Sequence, residues 1–128
     1  MVVGGLVLAG IAAIVHIFIF YLESIAWTSE LARSTFGTSE QDAQTTKELA
    51  FNQGFYNLFL AICVIIGIVL SALGATVAGA TLVFAGAGSM AAAALVLLIS
   101  SPDKAGAALK QGVVPALGVI ALAIGLAL

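Results

Sequence analysis

The ten charged side chains of this chain all fall in two short stretches. The first, 23–48, holds Glu23, Glu30, Arg33, Glu40, Asp42, Lys47 and Glu48; the second, 103–110, holds Asp103, Lys104 and Lys110. The remainder is uncharged and mostly apolar. A bilayer core takes about 20 apolar residues per helical crossing and rejects exposed charge. The chain therefore reads as a small multi-pass membrane protein.

Composition agrees. Only 8% of the 128 residues are charged and 62% are hydrophobic, against about 25% charged in a soluble domain. So few charges cannot cover a water-facing surface. The net charge of -2 comes with no basic patch, which argues against a nucleic-acid partner. Cys63, the single cysteine, sits in an apolar run and reads as a buried, inert thiol. The opening apolar run carries no preceding Lys or Arg, includes His16 and ends at Glu23 without a small-residue cleavage pattern. It reads as a retained transmembrane helix and not as a signal peptide.

Four apolar segments can be drawn, at about 2–24, 49–72, 76–99 and 109–128. Each is long enough to cross roughly 30 Å of hydrocarbon at ~1.5 Å per residue. In lipid a spanning segment must satisfy its own backbone, so the continuous runs are helices and not barrel strands. Ser39-Glu40-Gln41-Asp42 has the form of a helix start, and no Gly or Pro intervenes before Gly54. The second helix is therefore drawn over 40–72. The expectation is a single all-α domain over 1–128, an integral membrane four-helix bundle with helices at about 2–24, 40–72, 76–99 and 109–128.

The link between the second and third helices is uncharged, around Leu70-Ser71-Ala72-Leu73-Gly74. Both charged loops then fall on one side of the membrane and both termini on the other. All four Lys and Arg lie on the charged side. The positive-inside rule assigns those loops to the cytoplasm and the termini to the outside. Tyr21 and Trp27 read as interfacial belt residues. The third segment is rich in Gly and Ala. Ala75 with Gly79, and Gly88 with Ala92, make small-xxx-small pairs suited to close helix packing. Packing within the bundle is the first reading of these pairs, and a homodimer face the second.

Polar side chains inside a membrane are costly and tend to face the protein interior. On the first helix His16, Phe20, Glu23 and Trp27 recur at helical spacing. On the second, Glu48, Asn52, Gln53, Tyr56 and Asn57 recur four apart. On the fourth, Gln111 precedes Pro115, which cannot donate to its carbonyl. Counting depth from the charged side sets His16 level with Asn57 and Glu23 level with Asn52. The expected ligand-binding set is His16, Glu23, Asn52, Gln53, Tyr56, Asn57 and Gln111, lining a polar pocket in the cytoplasmic half of the bundle.

Each member has a plainer role open to it. His16 and Tyr56 serve as packing residues in many helices, and amides serve as inter-helix glue. Glu23 can point to interfacial water or pair with Lys47. The cluster carries more weight than its parts, because four short helices do not need seven polar groups to associate. No phosphate loop, paired cysteine or metal-binding helix motif is present. One His and one Glu are too few for a metal site, so no metal and no cofactor is expected. A His beside a carboxylate is a workable acid–base pair. On one helix these two are about 10 Å apart, so water or substrate would have to lie between them.

The same residues carry a family resemblance. His16, then 21–28 (YLESIAWT), Phe36-Gly37 and 46–57 (TKELAFNQGFYN) resemble the signature of a bacterial membrane family labelled domain of unknown function 1304. Its members read roughly E-H-x-Y-I-x-Y-L-E-M-F-x-W-T, then F-G, then T-K-x-L-A-x-N-Q-G-x-Y-N. The 111–116 stretch (QGVVPA) is similar to that family's V-Q-G-x-P-A. This chain has Val15 where members often carry Glu and Phe18 where they often carry Tyr, which leaves one carboxylate on the first helix. The resemblance implies a small four-helix protein of a bacterial inner membrane and names no activity.

Function is therefore expected from the pocket. The leading expectation is binding or transport of a small amphipathic or lipid-like molecule. An intramembrane enzyme moving a proton through Glu23 or His16, in the manner of an isomerase, is one alternative. An accessory subunit assembling through the Gly- and Ala-rich third helix is another. The partners expected are the lipid bilayer, such a ligand and a second copy of the chain as a homodimer, with no nucleic acid.

Overall fold

The computed structural model describes residues 1–128 and contains helices only. Four are long. Helix α1 (Val2–Phe20) continues through a π turn (Tyr21–Ile25); α3 spans Glu40–Ala72 and α4 Thr76–Ser100; a 3-10 turn (Pro102–Lys104) leads into α5 (Ala105–Ala127). A short α2 (Glu30–Phe36) lies in the first charged loop. The four long elements have 24, 33, 25 and 26 residues, and each contains an 18-residue stretch whose mean hydropathy is 2.6, 2.4, 2.3 and 1.8 in turn. Length and composition make them membrane-crossing helices, and together they form an integral membrane four-helix bundle.

The bundle is a closed square. Helix α1 packs on α3 and α5, α4 packs on the same two, and the diagonals barely touch. Its core is built from small side chains, with Ala9, Ala12, Ala13, Ala61 and Ala87 around Val64, Val83, Met90 and Leu122. Lipid tails are as apolar as a leucine, so helices in a bilayer gain little from burying large side chains and more from close backbone approach. Gly67 and Gly79 show this at the α3–α4 seam. A Cβ on Gly67 would lie 2.7 Å from the Gly79 carbonyl oxygen, and one on Gly79 would lie 2.6 Å from the Gly67 carbonyl oxygen.

Only 26 of 128 residues are buried, and Val3, Ile14, Ile25, Val77, Val96 and Ile99 point outward. That much outward apolar surface suits acyl chains and not water. Where α1 begins and α5 ends, Gly125 lies against the Val2 backbone.

Three local features depart from the sequence reading. Helix α2 lies within the first charged loop, where the sequence pattern shows no helix. Ser29 caps it, its Oγ accepting from Ala32 N at 3.2 Å, and Gly37 ends it in the left-handed conformation at φ 65. Seven residues are too few to show a helical period. Helix α5 begins at Ala105 and not near 109, because Pro102 opens the 3-10 turn that feeds it. Helix α1 does not stay α-helical to its end. An Ala26 N–H to Tyr21 carbonyl bond of 2.9 Å closes a wider turn, with Glu23 inside it.

Candidate functional site

The π turn has a cause in α3. Gly54 faces it, and a Cβ there would collide with Ser24 Oγ, 3.0 Å from Ser24 N and 3.1 Å from Glu23 Cβ. The bare glycine leaves room for the widened turn. Ser24 Oγ then donates to the Phe51 carbonyl at 2.7 Å and pins the turn to α3. Single π turns inside α-helices recur where a side chain must be re-aimed, frequently at functional sites. Here the re-aimed side chain is Glu23, 9% exposed.

Glu23 meets Asn57. Asn57 Nδ2 donates to Glu23 Oε2 at 2.7 Å. The depth count set Glu23 level with Asn52. The offset follows from geometry, since side chains lean toward the N-terminus of their own helix. Helix α1 enters this layer from the far end of the bundle, so Glu23 reaches back, deeper, toward Asn57. Helix α3 runs the other way, so Asn57 leans out to meet it. The same amide makes a longer 3.3 Å bond to the Gln53 carbonyl.

His16 lies one layer further in and is 2% exposed. Its Nδ1 is 2.9 Å from the Ala12 carbonyl oxygen. A carbonyl only accepts, so Nδ1 carries the hydrogen, and in the neutral ring Nε2 is left as an acceptor.

These groups surround one cavity of about 250 Å³ inside the bundle. His16, Glu23, Gln53, Asn57 and Gln111 line it, with Leu60, Met90 and Leu97 as apolar wall. Five of the seven polar residues singled out from sequence thus come together. Asn52 and Tyr56 do not. Tyr56 is 65% exposed, and Asn52 donates to its own helix at the Glu48 carbonyl, 3.1 Å away. The reason is rotational. Gln53 and Asn57 share one stripe of α3, and Asn52 and Tyr56 lie about 100° round the helix from it. The sequence pattern merges two stripes of α3 into one. Lys47 is exposed on α3, and the carboxylate takes its bond from Asn57 instead.

Besides the aliphatic wall, three aromatic or charged lining residues lie outside the expected set: Trp27, Phe36 and Lys104. Trp27 is half-buried and lines the cavity. Its Nε1 donates to Thr46 Oγ1 at 3.1 Å, and its ring lies 5.4 Å from that of Phe36. Phe36 comes from the unforeseen α2. Lys104 comes from the 3-10 turn, its Nζ donating to the Phe36 carbonyl at 3.2 Å. A cation suits that place, at the carbonyl end of a helix. For Trp27 the signal existed, at helical spacing from Glu23. For Phe36 and Lys104 there was none, because a contact 68 residues apart creates their roles.

Fold and cavity define a class: an integral membrane four-helix bundle with a polar chamber between its helices. Within that class the chain belongs to the family described as "Protein of unknown function (DUF1304)", whose model matches residues 10–123. The match takes in every cavity residue from His16 to Gln111. No curated protein and no solved structure matches the chain.

Proposed function

We propose that this protein binds a small amphipathic molecule in the cavity between its helices, in a bacterial inner membrane, with its charged loops in the cytoplasm. What supports the reading is the convergence of His16, Glu23, Gln53, Asn57 and Gln111 on one space. Helix glue needs pairs of groups, and among these five residues only Glu23 and Asn57 bond to one another across helices. The other polar groups face a chamber large enough for an occupant. The orientation is supported by Arg33, Lys47, Lys104 and Lys110, all at the charged end.

The experiment is mass spectrometry of small molecules carried through purification in mild detergent, wild type against Glu23→Ala. A discrete compound in the first sample and not in the second is the expected result. Bulk lipid alone in both would return the polar groups to a packing role.

A second reading is turnover of the bound molecule by proton transfer. It is favoured by His16 and Glu23 lining the same space. Under it, Glu23→Gln retains the compound and stops its conversion.

A further inference from the structure

The inner cavity is not the whole of the space. Glu23, Trp27, Gln53 and Lys104 also line a second chamber of about 380 Å³. Its outer wall is Thr38, Asp42 and Thr46. These lie in the first charged loop and the charged first turns of α3, beyond the apolar run. This outer chamber therefore opens toward water at the charged-loop end, and the four shared residues stand between it and the inner cavity, at what we read as its neck.

Two opposite charges face that neck without joining. Glu23 Oε2 takes its bond from Asn57, and Lys104 Nζ gives one to the Phe36 carbonyl. Each keeps bonding capacity, since an ammonium has three donors and a carboxylate about four lone-pair sites. Glu23 is the buried one of the two, and a charge held away from water is costly until it is paired and hydrogen-bonded. An occupant carrying only an anion would satisfy Lys104 and confront Glu23 and Asp42. One carrying only a cation would satisfy Glu23 and confront Lys104. An occupant carrying both would satisfy both. The inner wall of Leu60, Met90 and Leu97 asks for an apolar body. The inner volume falls below the ~300 Å³ at which drug-sized sites begin, so the body is short.

We propose that the cavity takes a small zwitterion with an apolar body, loaded from water at the charged-loop end, its ammonium at Glu23 and its carboxylate at Lys104. This rests on the binding reading above and narrows it to amino-acid-like molecules, against long-chain lipids.

The test is equilibrium binding to the whole protein in lipid nanodiscs. The probes are leucine, methionine and phenylalanine, each beside the amine lacking its carboxylate and the acid lacking its amine. At least one zwitterion binds about tenfold or more tighter than both of its truncated forms, the scale of one charge-assisted hydrogen bond. In Lys104→Met that zwitterion and its amine bind alike. In Glu23→Gln it and its acid bind alike. Lys104→Arg retains the preference. If Glu23→Gln does not fold, the Lys104→Met arm decides, because that side chain lies at the mouth.

The proposal is overturned if no zwitterion outbinds both truncated forms, or if Lys104→Met leaves the preference intact. A co-purifying compound that is lost in Glu23→Ala but is not a zwitterion removes this proposal and leaves the binding reading standing. No compound and no probe binding removes both.

Discussion

Asn57 Nδ2 and Glu23 Oε2 are 2.7 Å apart, and their bond ties the π turn of α1 to α3 across the cavity wall. The Ser24 hydroxyl makes the other side-chain tie between the π turn and α3, to the Phe51 carbonyl. The pair therefore has a structural share and a chemical one, and the two can be separated.

Asn57→Ala removes the donor and leaves the Glu23 carboxyl without its partner. The loss of stability is about 1 kcal/mol, the usual scale for hydrogen bonds between membrane helices. Glu23→Gln keeps an acceptor oxygen for Asn57 and costs less. Unfolding in mixed detergent, followed by helical circular dichroism, ranks the two. If Glu23→Gln costs as much as Asn57→Ala, the charge carries the bond and the geometry does not.

Gly54 makes room for the turn that aims Glu23. Gly54→Ala sets a methyl against Ser24 Oγ, 3.0 Å from Ser24 N. Overpacking of this kind costs roughly 1–3 kcal/mol. Ser24→Ala alone loses only the bond to the Phe51 carbonyl. The double variant is less destabilised than the sum of the two, because Ser24→Ala removes one of the atoms that the new methyl meets. Strict additivity in a double-mutant cycle would mean that the collision is with the backbone alone.

The fold was largely legible because bilayer physics writes itself into composition. Charge confined to two loops leaves four apolar runs, and only helices satisfy their own backbone in lipid. The site was legible where one helical stripe carried it. His16, Glu23, Gln53, Asn57 and Gln111 were found by spacing and depth. The count failed at Asn52 and Tyr56, because polar residues at adjacent positions of α3 belong to different faces. It failed at Phe36 and Lys104, because no local period marks a residue whose place is set by a contact between two loops. The π turn was illegible for a related reason. Its cause is Gly54, on another helix, and 21–25 read alone is ordinary helix.

Trp27 is the chain's only tryptophan and lines both chambers. Its emission therefore reports occupancy. A ligand passing the neck shifts or quenches the fluorescence in a saturable way, with the same midpoint as direct binding. Trp27→Phe keeps an aromatic ring facing Phe36 and loses the 3.1 Å bond to Thr46. Affinity then falls by less than about tenfold, the scale of one neutral hydrogen bond. A titration in which bound ligand leaves the emission unchanged would place the occupant away from the neck.

The small residues of α4 divide into two groups that respond differently to size. Gly79 is inside the bundle, 2.6 Å by its would-be Cβ from both the Gly67 carbonyl oxygen and Ser71 N. Backbone cannot move aside as a side chain can. Gly79→Leu therefore costs more than the ~1–3 kcal/mol of ordinary overpacking and prevents a folded bundle. A Cβ on Gly88 meets nothing within 4 Å. Gly88→Leu changes the stability of the single bundle by no more than about 0.5 kcal/mol. Circular dichroism during detergent unfolding and size-exclusion with light scattering check both. If Gly88→Leu keeps its helicity but halves the mass of the particle, the outer stripe of α4 is an assembly face between copies. If mass and stability both hold, that stripe faces lipid, and the small residues of α4 that matter are those turned toward α3.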